Sequence, residues 1–206
     1  MRNLPAGSEM LYWVVYVIRE RQHMDRLISA LRFVVADKSE TWYHGRTVST
    51  TKFDYAWTGK GKDQEGPGFY FSSSREDAAS YAYPSGIIIE AKLNIKKLLP
   101  KKAKQSDIET LVKNAPDLEY KLANWDENAS KALKMSIGAM MADNQPYLQT
   151  WADFYMQDGA DYLKGLVRLG YSGHEANRDG VTHVIVYDPS VIEITNRQSF
   201  DEYKAE

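Results

Sequence analysis

Strand-forming segments lie on both sides of one long helical block, and that arrangement limits the fold of this chain more than any other feature. Before the block come Thr41 to Arg46, Phe69 to Phe71 and Ile87 to Leu93; after it come His174 to Asn177, Val181 to Tyr187 and Val191 to Ile194. The stretch from Asp107 to Leu169 is rich in Leu, Ala, Met and Lys, broken at Pro116, Pro146 and Gly159. Strands that pair across an interposed block make an α+β domain with a helical insert; strands and helices that alternate throughout would make a doubly wound parallel sheet. The expectation is one domain over 1–206, with a helical segment at 9–35 and an insert at 101–169.

The 206 residues suffice for one core plus such an insert. Residues 9–35 read as one helix or a helix pair, because Leu11, Val14, Val15, Ile18, Met24, Leu27, Ile28 and Leu31 recur at helical spacing. The apolar run Met10 to Ile18 is less than half the roughly twenty residues a membrane span needs, and it runs into Arg19-Glu20-Arg21. A cytoplasmic protein without membrane contact is expected. The absence of cysteine excludes disulfides, thiolate zinc sites and a cysteine nucleophile. His23, His44, His174 and His183 show no metal-ligand spacing, and no metal is expected. A net charge of −2 argues against a broad basic surface. The run Lys96, Lys97, Lys101, Lys102 and Lys104 reads as a solvated turn or a local contact for a macromolecule.

Local signals place the elements more finely. Ser72-Ser73-Ser74 followed by Arg75-Glu76-Asp77 is a helix start, with a hydroxyl at the cap and acids in the first turn. That helix ends before Pro84-Ser85-Gly86. Residues 49–67, rich in Gly, Lys, Asp and Thr, read as a mobile loop. Gly170 closes the helical block as a C-cap.

Three motifs occur in order: Tyr43-His44-Gly45; Gly68-Phe69-Tyr70-Phe71 with Tyr81 eleven residues after Tyr70; and Val184-Ile185-Val186-Tyr187-Asp188. Together they resemble the His-Tyr-Glu branch of ADP-ribosyltransferases, the group of diphtheria toxin and the poly(ADP-ribose) polymerases. Gly170-Tyr171-Ser172-Gly173 and Tyr187-Asp188-Pro189-Ser190 are similar to the versions in phage and mobile-element proteins. The resemblance covers roughly 41–95 and 166–195. It implies a split antiparallel sheet of the ADP-ribosyltransferase type and NAD as substrate. It also implies mono-ADP-ribosyl transfer to a protein or nucleic-acid acceptor, with nicotinamide released.

By that resemblance His44 holds a ribose hydroxyl, Gly45 meets the carboxamide through its backbone, and Tyr70 and Tyr81 form the slot for the ring. The chemistry agrees, since aromatic faces stack on a flat cationic ring. Arg46 stands where the polymerases carry Ser or Thr, and its guanidinium suits a phosphate of the dinucleotide. Ala78 replaces a nicotinamide-binding serine. His183 takes the place of the glutamate that steadies positive charge on the ribose as nicotinamide leaves. A three-residue loop Arg178-Asp179-Gly180 would set Glu175 opposite His183, there to supply the missing carboxylate or to polarise the imidazole; a two-residue loop would turn Glu175 to the other face. Two further readings stay open: a degenerate module that binds NAD or ADP-ribose, and an RNA 2′-phosphotransferase, which His44, His183, Arg46 and Arg178 would serve.

Overall fold

The computed structural model describes residues 40–47, 52–58, 65–116, 118–123, 128–155 and 159–206. By its contacts the chain divides into Met1–Glu40 and Thr41–Glu206, and the fold described is that of the second unit. The helix expected at 9–35 lies outside the described residues.

Six strands form one antiparallel sheet: β1 Trp42–Arg46, β2 Phe69–Ser72, β3 Ile87–Leu93, β4 Gly173–Arg178, β5 Val181–Val186 and β6 Ile192–Ser199, in the order β4-β5-β2-β1-β3-β6. β1 pairs along its whole length with β3, yet meets β2 at a single pair, Tyr43 opposite Ser72. The sheet is therefore split into β4-β5-β2 and β1-β3-β6. This is the α+β split sheet that the motifs implied.

The second half of β5 is a continuous apolar run, with Val184, Ile185 and Val186 buried. Each such side chain contributes about 1.5–3 kcal/mol on leaving water, and a strand buried on both faces needs cover on both. Val184 and Val186 pack with Phe69, Phe71, Ala91 and Val191 on one face. Ile185 and Tyr187 join the helices on the other, called here the helical face.

Two helical parts cover the helical face. The first is α1, Arg75–Ala82, capped by the Ser74 hydroxyl, which accepts from the Asp77 N–H at 3.2 Å. Its buried Ala79 and Ala82 pack with Ile88 and with Phe200 of the terminal helix Phe200–Lys204. Small side chains bring α1 close to the sheet: a Cβ on Gly45 would run into the Ala78 carbonyl oxygen.

The second part is the insert: α2 Gln105–Lys113, α3 Leu118–Ala123, α4 Ala129–Ala142, α5 Pro146–Phe154 and α6 Gly159–Arg168. Ile108, Leu111 and Val112 recur at helical spacing and are buried. The insert also buries several tyrosines, each with a partner for its hydroxyl. Tyr155 donates to the Leu111 carbonyl, Tyr162 to the Tyr147 carbonyl, and Tyr147 and Tyr171 both to the Asp107 carboxylate. Gly170, at φ +86°, ends α6 as a left-handed cap, with the Tyr171 N–H returning to the Leu166 carbonyl.

Of the loop expected at 49–67, residues 49–51 and 59–64 lie outside the described residues; in the remainder Tyr55–Trp57 form a 3-10 turn capped by Asp54, and Phe53 and Tyr55 pack against the core beneath the strands. One expectation changes. The β4–β5 hairpin turns on two residues, Asp179 (φ +52°) and Gly180 (φ +82°), with Arg178 opposite Val181. Both central residues take the left-handed conformation that suits the strand twist, and the short polar Asp tolerates it. The three-residue loop is thereby corrected to a two-residue one.

Candidate active site

Register carries the in–out alternation from strand to strand. Tyr70 pairs with Ile185 and Ser72 with His183, while His183 also pairs with Ala176. Tyr70, Ser72 and His183 therefore share the helical face with Ala176 and Arg178. Along β5 the order is Val181 beside Arg178, then His183, then Ile185 beside Tyr70.

α1 crosses this face and adds two side chains one turn apart. Asp77 places a carboxylate oxygen 2.8 Å from His183 Nε2. Tyr81 is 51% exposed, and its hydroxyl lies 3.5 Å from Arg178 Nη1. His183 itself is buried, and among the described residues no hydrogen bond reaches its Nδ1. The loop before α1 is stitched to the same strand, because the Ser73 N–H donates to the Thr182 carbonyl and the Thr182 N–H to the Ser73 hydroxyl. Tyr70 is tethered at its tip: its hydroxyl donates to the Gly66 carbonyl at 2.6 Å and accepts from the Glu65 N–H at 3.0 Å.

His44 belongs to the opposite side of the sheet. It pairs with Ile89, so with Arg46 it alternates away from Tyr43 and hence from His183. Its ring reaches the split, where Nδ1 lies 2.6 Å from the Tyr70 carbonyl. Arg46 Nε donates to Nε2 at 3.0 Å. A carbonyl only accepts and an arginine N–H only donates, so the ring is the neutral tautomer with its proton on Nδ1. Burial, reinforced by the Arg46 charge, lowers its pKa to about 4 against the Tyr70 carbonyl. Phe53 and Phe71 flank the ring at 5.1 and 5.4 Å, and the Arg46 guanidinium lies 4.6 Å from the centre of the Phe53 ring.

The structure thus brings Tyr70, Tyr81 and His183 to one face. It ties His44 and Arg46 to Tyr70 through the backbone, and it sets Gly45 beneath α1. Gly45 has a packing reason to lack a side chain, independent of any ligand.

Glu175 is corrected. The two-residue turn pairs it with Val184, so it sits on the face away from His183. It is exposed on the edge strand and borders a separate cavity of about 320 Å³ with Glu65, Lys101, Tyr147 and His174. There Tyr187 donates its hydroxyl to His174 Nδ1 at 2.7 Å, and burial lowers the His174 pKa to about 4.

The sequence motifs do not single out Asp77. Its place in the first turn of α1 explains it as a dipole partner; its spacing of four puts it on one helix face with Tyr81 but does not reveal the contact with His183. The basic run is partly structural as well. Lys97 accepts through its carbonyl from the Ser172 N–H, and its ammonium lies 4.0 Å from the centre of the Tyr171 ring. No group of three or more potential ligand side chains gathers for a metal among the described residues, and none of their helices is long and apolar enough to cross a membrane.

Residues 39–200 match the profile of the family described as ADP-ribosyltransferase in polyvalent proteins. No curated protein and no solved structure matched the chain.

Proposed function

The chain belongs to the ADP-ribosyltransferases of polyvalent proteins, and from that premise we propose that it splits NAD and transfers ADP-ribose to a protein or nucleic-acid acceptor. The observation that carries this reading is the common face of Tyr70, His183 and Tyr81, with Tyr81 still 51% exposed. An exposed aromatic on the same face as His183 suits a flat cationic ring that will cover it.

The nicotinamide ring lies against Tyr70 and Tyr81, with Gly45 offering backbone to the carboxamide. The adenosine and phosphate end reaches across the β1–β2 split. There a ribose hydroxyl takes Arg46's place on His44 Nε2, and the guanidinium turns toward a phosphate. The C1′–N bond breaks with its electron pair passing to nicotinamide, which leaves neutral. Positive charge collects on the ribose at C1′ and the ring oxygen. The acceptor's nucleophile then bonds to C1′ and gives up its proton to solvent. His183 stands beside the reacting ribose. Protein groups accelerate such a step by being arranged in advance around the charge that develops.

The test is incubation of the full chain with NAD and quantification of free nicotinamide. The reading predicts release by the wild type. It predicts a rise in KM of about 5- to 30-fold for Tyr81→Ala, the worth of roughly 1–2 kcal/mol of ring contact. NAD that stabilises the protein against heat without any release would instead identify a binding module. Turnover confined to 2′-phosphorylated RNA would identify a phosphotransferase.

A further inference from the structure

We propose that Asp77 and His183 work as one unit, in which Asp77 lends its negative charge to the reacting ribose through the imidazole. The inference rests on the transferase reading above and goes beyond it, because it names the source of the charge that the reaction needs.

A neutral histidine alone offers hydrogen bonds but no negative charge, and a protonated one opposes a developing cation. The structure answers this with a carboxylate on the far side of the ring. Asp77 reaches His183 Nε2 at 2.8 Å, with the two side chains 25% and 9% exposed. When Asp77 accepts the Nε2 proton's hydrogen bond, Nδ1 is left as a lone-pair acceptor. Nδ1 is the atom that no described residue engages, and a ribose hydroxyl is the donor that suits it. The pair then carries one net negative charge, as a carboxylate would. Asp77 is held in place from behind, since its N–H is bound by the Ser74 hydroxyl.

Asp77 is a positioning residue and His183 the one that touches substrate. Charged and titratable groups on the surrounding elements are Asp77 and Tyr81 from α1, Arg178 from β4 and Tyr70 from β2. Arg178 is the cation among them, and it sits beside Tyr81.

The test measures kcat and KM for nicotinamide release by the wild-type chain, D77N, H183E and H183E/D77N, with thermal melts as a check on folding. D77N is expected to lower kcat at least about 30-fold, a loss of roughly 2 kcal/mol at the transition state, while KM for NAD holds within about threefold. In H183E the carboxylate sits on β5 itself. Adding D77N to H183E then changes kcat by less than about threefold, because coupled residues are non-additive. The double variant also decides the matter if D77N alone unfolds. Equal losses from D77N in both backgrounds, or no loss in either, would overturn the proposal. So would a wild type that binds NAD without turnover while H183E turns it over. That last outcome leaves the transferase reading intact; NAD bound by none of the proteins would sink the reading itself.

Discussion

Acidification from pH 8 to pH 5 should cost this protein about 4 kcal/mol of stability, a sum over two histidines. His44 and His174 both have their pKa values lowered to about 4 by burial. Both bear their proton on one nitrogen while the other accepts a hydrogen bond, His44 from Arg46 and His174 from Tyr187. In the unfolded chain each titrates near the ordinary histidine value of about 6.5. Below that value the unfolded state takes up protons that the folded state refuses, so stability falls as pH falls. At pH 5 each site contributes a loss of about 2 kcal/mol, and the loss levels off near pH 4. Carboxylates held low in the folded chain, Asp54, Glu202 and Glu206, begin to matter only below about pH 5. The assay is urea unfolding at pH 8 and at pH 5, followed by tryptophan fluorescence. His44→Gln and His174→Gln should each halve the pH-dependent loss, whatever they do to absolute stability. A wild type equally stable at both values, or single variants that lose as much as the wild type, would refute the reasoning.

Three other outcomes follow from the geometry. Gly45→Ala should destabilise the fold by about 2–3 kcal/mol, because the new methyl meets the backbone carbonyl of Ala78 and not a movable side chain; a thermal melt reads it. Asp107→Ala strands the hydroxyls of Tyr147 and Tyr171 and should cost about 2–4 kcal/mol in chemical denaturation. Glu175→Gln should leave nicotinamide release within about twofold of wild type, since Glu175 is an exposed edge-strand residue facing away from His183.

Much of the architecture is legible in the sequence because its signals are local. β3 spans Ile87–Leu93 as its apolar run indicated. Ser74 caps α1, and the insert breaks into helices near Pro116, Pro146 and Gly159. The hairpin register was not readable to one residue, because Arg178-Asp179-Gly180 is compatible with both loop lengths. The choice rests on whether Asp179 adopts a positive φ, and a slip of one residue turns every side chain over. That slip made Glu175 look like the partner of His183. The true partner comes from a helix more than a hundred residues earlier, and contact across such a distance leaves no mark in spacing. The bond between Arg46 and His44 is different. Residues two apart on a strand share a face, so that contact could have been anticipated. The packing of Gly45 under Ala78 depends on how closely α1 approaches the sheet, which three alanines at 78, 79 and 82 only suggest.

A crystal structure of the full chain with NAD bound tests the central claim most directly. The account predicts nicotinamide against Tyr70 and Tyr81 on the helical face, with a ribose hydroxyl on His183 Nδ1 and Asp77 still on Nε2. Dinucleotide seated instead in the cavity bordered by Glu175 and His174, with Tyr81 left exposed, would contradict it.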